Sequence, residues 1–387
     1  MTRDLWLFFA SLCLFSIGYG CYFFSWPLFV QSLGASAVEL GYLSALASLV
    51  GALSVIPGGY LADRFERRWQ LILGWAMCIP VPLLYLAARD WRQLIPGVVL
   101  FAASIFNVPH MNAYIAAKAQ PGRLSSAMSV VYAGFSIGFV LGPLLANPIQ
   151  VAWGVSGVFR AAAFFFGIST AVIFFVSPDH PPARFRQRCG VGRRGLELPG
   201  PELCLSCLLF GGVAAALYFS WHFVAPFARD VLHHGVEWVN TAGAVTGLGG
   251  ALLAVLLGRY ADRAGPRRGL AVGLGLHALG MVGLVTLGRW PVIWLVLALR
   301  GSFDGVKTLM TSTIAQEVEA DQLGRSLGFY NLTTGVGYTV GPIMGGYAYS
   351  WCPAAPFWLA AGASVLLGLY VFQTAHRRQR LTGHCYR

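Results

Sequence analysis

Residues 59–68 read Gly59-Tyr60-Leu61-Ala62-Asp63-Arg64-Phe65-Glu66-Arg67-Arg68. This charged stretch separates two apolar runs, 38–62 and 69–88, and a helix crosses a bilayer with about 20 such residues. A second, degenerate copy lies downstream: Gly258-Arg259-Tyr260-Ala261-Asp262-Arg263-Ala264-Gly265-Pro266-Arg267-Arg268. Gly59 and Asp63-Arg64 fall on Gly258 and Asp262-Arg263 at an offset of 199 residues. The same offset places Tyr19, Tyr22, Phe24 and Pro27 on Tyr218, Trp221, Phe223 and Pro226, and Gly51-Ala52-Leu53 on Gly250-Ala251-Leu252. It also places Gly138 and Gly142-Pro143 on Gly337 and Gly341-Pro342. Four blocks in one register, over more than 120 residues, mark two copies of one unit.

Working outward, apolar runs fall at 5–30, 38–62, 69–88, 93–116, 125–147, 155–176, 202–228, 236–258, 269–288, 290–315, 325–349 and 354–374. Each can span a bilayer. Of the 387 residues 57% are hydrophobic and only 11% charged, against about 25% charged in soluble domains. So few charges cannot cover a soluble protein of this length, but they suffice where lipid covers the rest. The reading is an all-α polytopic membrane protein of twelve transmembrane helices in two pseudo-symmetric six-helix bundles. Residues 1–176 form the first bundle and 202–374 the second. A Pro-, Gly- and Arg-rich linker spans 177–201, and a basic tail spans 375–387.

Orientation follows from the distribution of Lys and Arg. With the N-terminus in the cytoplasm, the inner loops and tails hold twenty of them, and the outer loops hold four: Arg89, Arg92, Arg229 and Arg289. The positive-inside rule then puts both termini and the linker in the cytoplasm. The net charge of +12 belongs to this asymmetry and not to nucleic-acid binding, since no basic and aromatic interleaving on a polar scaffold accompanies it. The N-terminal apolar run is too long for a signal peptide and reads as the first span. The eight cysteines form no framework, and Cys204-x-x-Cys207 lacks the second ligand pair that a metal site needs. No metal or cofactor is expected. HExxH, paired intramembrane carboxylates and a Ser-His arrangement are all missing, which argues against an enzyme.

The loop at 59–68, a glycine followed by Leu-Ala-Asp-Arg and a basic pair, resembles the signature loop of the major facilitator superfamily (MFS). With the second copy and the twelve spans, the resemblance covers nearly the whole chain. It implies the MFS fold, with spans one, four, seven and ten around a central substrate cavity, and transport by alternating access. It casts Gly59, Asp63, Arg64, Arg67 and Arg68, with Gly258, Asp262 and Arg263, as the cytoplasmic gate. There Gly59 would let two helices approach closely, and Asp63 would accept charge-assisted hydrogen bonds. Glu66 departs from the superfamily's usual glycine after the aspartate. Span eleven, with Gly337, Gly341-Pro342 and Gly345-Gly346, resembles the glycine-proline span five of superfamily exporters. In this chain span five keeps Gly138 and Gly142-Pro143 but then has Ala146-Asn147. Tight packing and a proline kink account for both spans as well.

Asp304 is the one carboxylate at membrane depth among fifteen acidic residues. Arg300, Asp304 and Lys307 have helical i, i+4 and i+7 spacing, which puts them on one face. Intramembrane charge is costly, so that face should line the cavity as a proton-coupling or substrate site, or else form a structural ion triad. The repeat counterparts are Phe101, Ile105 and Val108, so the fold does not require charge at these positions. Asn107 and His110 on span four, Tyr19, Tyr22 and Trp26 on span one, and Tyr218, Trp221 and His222 on span seven are candidate cavity residues, each with plain packing as the alternative.

Two functions fit. One is proton-coupled efflux of amphipathic or drug-like compounds. The other is carriage of a small organic anion, sugar or other polar metabolite. The partners expected are the small-molecule substrate, a coupling proton and membrane lipid, for a monomer in a bacterial inner membrane. A cysteine introduced within 180–199 should react with membrane-impermeant maleimide in inverted vesicles and not in intact cells. Labelling from outside would reverse the topology.

Overall fold

The computed structural model describes residues 2–120, 123–179, 200–288, 290–318 and 323–384. All regular structure there is helical. The first half comprises α1 (Arg3–Phe23), α2 (Trp26–Ser32), α3 (Ala37–Arg64), α4 (Arg67–Cys78), α5 (Pro80–Ala87), α6 (Ile95–Ala103), α7 (Asn107–Lys118) and α8 (Leu124–Ile173). The second comprises α9 (Pro201–Trp221), α10 (Val224–Asp230), α11 (Val236–Ala264), α12 (Pro266–Leu287), α13 (Ile293–Arg300), α14 (Ser302–Glu317), α15 (Leu323–Trp351) and α16 (Ala355–His384). Nine described stretches are long and apolar enough to span a membrane. The longest, α8, is broken at Gly154 (φ 65°, ψ −168°), a conformation only glycine adopts freely, and so supplies spans five and six. With α13–α14 and α15, the segments make twelve spans. Large apolar side chains stay exposed on them, Ile56 at 73% and Leu366 at 70%, which in water would be untenable over so much surface.

Spans one and seven break within one residue of equivalent places, after Phe23 and after Trp221. Pro27 and Pro226 lack the N–H that would bond the carbonyl four residues back. Local capping sets other ends. Thr2 Oγ1 accepts from Leu5 N at 3.4 Å. Ser36 and Glu39 form a capping box: Ser36 N donates to Glu39 Oε2 at 2.7 Å and Glu39 N donates to Ser36 Oγ at 3.2 Å. α16 continues through the expected basic tail to His384.

The repeat is realised in packing. A methyl group at Gly138 would meet Ser16 and the Cys13 carbonyl, and one at Gly337 would meet the Gly211 carbonyl and Ala214. Span five therefore lies on span one as span eleven lies on span seven. Where Gly58 receives the Phe106 backbone, Leu257 instead fills the space left by Gly305, so large and small residues exchange sides. The close approach expected at Gly59 is not there: neither Gly59 nor Gly258 has anything within 4 Å of an added Cβ. Its neighbour Gly58 makes that contact, because the helix turns Gly59 about 100° away. The second signature loop turns on Gly265 (φ 93°), whereas Glu66 in the first is extended at φ −59°, ψ 120°. The first loop thus needs no left-handed residue.

Contacts divide the chain into two compact units. One holds Met1–Ala35, Leu46–Glu197 and Val236–Ala244; the other holds Ser36–Ala45, Leu198–Gly235 and Val245–Arg387. The division is not a simple cut at the linker, because the first turns of α3 and α11 each pack with the other stretch of chain. In the second unit Gly346 receives the Ala37 carbonyl, and Tyr42 and Tyr347 hydroxyls lie 2.7 Å apart. At the position equivalent to Gly346, Asn147 makes hydrogen bonds instead: it accepts from Asn240 Nδ2 at 2.9 Å and donates to Thr241 Oγ1 at 3.3 Å. Inside the first unit, Trp75 Nε1 donates to Ser169 Oγ (2.8 Å), which donates to the Ser11 carbonyl (2.7 Å), tying three spans by polar contacts.

Gly58→Val, Gly138→Val and Gly337→Val should yield little monodisperse protein by fluorescence-detected size exclusion, while Gly59→Val and Gly258→Val should run as wild type.

Candidate functional site

The first half lines a half-open cavity of about 340 Å³, within the range of ligand pockets. Its wall is aromatic: Phe15, Tyr19, Trp75, Phe101, Tyr132 and Phe135, with Met111. Tyr19 stacks on Phe101 at 5.0 Å, and Phe15 tilts on Trp75 at 5.6 Å. Few polar groups interrupt it. Asn107 is buried, donates through Nδ2 to the Leu71 carbonyl at 3.2 Å, and keeps Oδ1 without a partner. Tyr132 donates to Asn112 Oδ1 at 2.7 Å. No lining side chain carries a formal charge.

The structure divides the span-one candidates. Tyr19 lines the larger cavity, whereas Tyr22 and Trp26 line a separate one of about 140 Å³. The break after Phe23 ends the single helical face that spacing implies. His110 is fully buried and sits off the larger cavity's wall, its Nδ1 3.1 Å from the Phe106 carbonyl.

In the second half, Tyr218 packs on Tyr338 (4.4 Å) and Trp221 stacks on Phe303 (4.3 Å). His222 lies against Tyr218, with Nε2 buried and unpartnered. Arg300 is buried, its guanidinium 4.5 Å from the Trp221 ring centroid, and Nη2 donates to the Trp221 carbonyl at 3.3 Å. Lys307 Nζ is 5.2 Å from the Phe303 ring and 5.6 Å from Tyr338. Asp304 is exposed. No ion triad forms: among the described residues Asp304 pairs with no cation within 4 Å. Gly301, between α13 and α14, keeps right-handed helical backbone angles (φ −60°, ψ −14°), so the face continues but no ion pair closes on it. Asp304 Oδ2 instead faces α11, 3.1 Å from where a methyl on Gly250 would sit; Ile105 meets Gly51 the same way in the first half.

The signature loops carry a different chemistry. The side chains of Asp63 and Arg64 lie outside the described residues, as does most of the linker. Arg67 is buried and pairs with Asp179 at 2.8 Å, and Arg68 donates to the Phe174 carbonyl at 2.7 Å. Lys118 pairs with Asp4 at 3.6 Å, and Tyr114 donates to the Ser177 carbonyl. Residues 174–179 are thereby fastened to spans one, three and four. In the second half Arg267 occupies the corner equivalent to that of Arg67 and donates to Thr374 Oγ1 at 2.9 Å and Ser206 Oγ at 3.0 Å. Asp262 and Arg263 are exposed. Gly138, Gly142 and Pro143, like Gly337, Gly341 and Pro342, are buried in packing.

The Major Facilitator Superfamily profile matches residues 8–317 and 208–383. The chain belongs to the Major Facilitator Superfamily. It is 26% identical over 376 residues to "Multidrug resistance protein MdtG" of Salmonella arizonae, covering 92% of this chain and 91% of that protein. It is 26% identical over 373 residues to the protein of that name from Salmonella typhimurium, covering 91% and 90%. Solved structures share the fold. The nucleoside transporter NupG matches with a TM-score of 0.78 at 12% identity over 96% of this chain and 99% of that one. The human organic anion transporter MFSD10 (TETRAN) matches at 0.67 and 18% over 95% and 99%. This superfamily member is an integral membrane secondary transporter that binds small-molecule substrates, and not an enzyme.

Sequence reasoning missed two groups. His277 is fully buried beside Arg300 in the middle of span nine, and a lone His in an apolar run was the available signal. Asp179 sits in the linker, where nothing in the sequence marks it as the partner of Arg67. Arg67→Met should lower the thermal midpoint of purified protein by several degrees, because it strands a mostly buried carboxylate. Arg267→Met should lower it too, since it removes hydrogen bonds from a charged donor to Thr374 and Ser206, each worth about 1.5–3 kcal/mol.

Proposed function

We propose that this transporter exports amphipathic, drug-like compounds in exchange for protons. It would act as a monomer in a bacterial inner membrane, with both termini in the cytoplasm. The observation that carries the reading is the aromatic cavity of about 340 Å³, uncharged and served by few polar groups. Such a wall binds flat apolar solutes of varied shape through ring contacts and offers little to a sugar, which needs many directed hydrogen bonds. The multidrug resistance relatives, matched over nine-tenths of the chain, point the same way. Asp304 is the candidate proton carrier. It lies in the span-ten apolar run, and it has no ion-pair partner within 4 Å among the described residues, so protonating it breaks no salt bridge.

The test uses proteoliposomes loaded with a fluorescent amphipathic dye under an imposed pH gradient. Asp304→Asn should abolish concentration of the dye against its gradient while retaining exchange down it. Trp75→Ala and Phe101→Ala should raise the KM for dye several-fold with Asp304 intact. An Asp304→Asn protein that still concentrates dye would remove the coupling role, and unchanged KM in both aromatic variants would remove the cavity.

A further inference from the structure

The repeat converts the first half's neutral wall into a charged one. Cavity residues Cys78, Phe101, Ile105 and Val108 have His277, Arg300, Asp304 and Lys307 as their second-half counterparts. Arg300 is the most constrained of these. It is only 4% exposed, its plane lies over Trp221, one Nη bonds a carbonyl, and Nε is sealed without a partner. Nη1 makes no hydrogen bond among the described residues, so one N–H edge of the guanidinium is left without an acceptor. Among the described residues no carboxylate lies within 4 Å of Arg300 or Lys307. His222 and His277 are within electrostatic reach of Arg300 and bring imidazoles, while Asp304 is within electrostatic reach of Lys307 without pairing with it.

A buried guanidinium without a counter-anion is costly, and the ring beneath it offsets only part of the cost. A charge that the repeat does not need, kept without an internal partner, fits a partner that arrives from outside. A guanidinium edge prefers a carboxylate to any neutral acceptor. We propose that Arg300 is the anchor for the carboxylate of an amphipathic organic acid, with Lys307 adding a second positive charge. The proposal rests on the reading of this chain as a carrier of amphipathic compounds and narrows that class to acids.

The experiment measures equilibrium binding to the full chain in nanodiscs with three probes on one scaffold: 1-naphthaleneacetic acid, its methyl ester, and 2-(1-naphthyl)ethylamine. The acid should bind roughly tenfold or more tighter than the ester, the size of a charge-assisted hydrogen bond. Arg300→Gln should erase that preference while changing the ester's Kd by less than about twofold, and Lys307→Gln should reduce the preference without erasing it. Should Arg300→Gln not fold, Trp221→Leu loosens the guanidinium while keeping its charge, and should weaken the acid alone. Equal binding of acid, ester and amine, or an acid preference that survives Arg300→Gln, overturns the anchor and leaves the amphipathic reading standing. No binding of any of the three overturns both.

Discussion

Two helix crossings hold each half of this protein together: span five on span one, and span eleven on span seven. At Gly138 and Gly337 the partner helix comes so near that even one methyl group would strike its backbone carbonyl. In lipid there is no hydrophobic force to press helices together, so association depends on such close contact and on interhelical hydrogen bonds. The chain uses both. Ser11, Trp75 and Ser169 add a polar stitch beside the first crossing, and the remaining spans are placed against these pairs.

On that shared frame the two halves carry different chemistry. Gly51 receives Ile105, and Gly250 receives Asp304, by the same geometry. Phe101 stacks on Tyr19, while Arg300 lies over Trp221. The frame tolerates either member of each pair: the glycines need only a longer residue opposite them, and the aromatic rings accept a ring or a guanidinium plane. Charge was therefore free to vary, and it collected in one half only. That asymmetry separates a neutral aromatic cavity from a cationic, carboxylate-bearing group of side chains within one transporter.

The signature loops hold equivalent basic corners. Arg67 pairs with Asp179, and Arg267 donates to Thr374 and Ser206. The first corner also ties down residues 174–179 through Arg68, Tyr114 and Lys118. A half that moves as a body in alternating access needs its helix ends coupled, and these contacts supply that coupling.

The sequence alone determined the all-helical membrane fold and the doubling at an offset of 199. Both follow from the bilayer's intolerance of charge and of unpaired backbone, which writes itself into composition and period. Only the tertiary structure decided which glycine makes the contact, Gly58 rather than Gly59, since two adjacent residues differ by a helical rotation that the residue type does not reveal. It also decided that Arg300, Asp304 and Lys307 form no triad. Helical spacing put them on one face, but Arg300 lies over Trp221 and Lys307 beside Phe303 and Tyr338 instead of closing an ion pair with Asp304. The pairing of Arg67 with Asp179 spans 112 residues, and no local pattern encodes a contact at that distance.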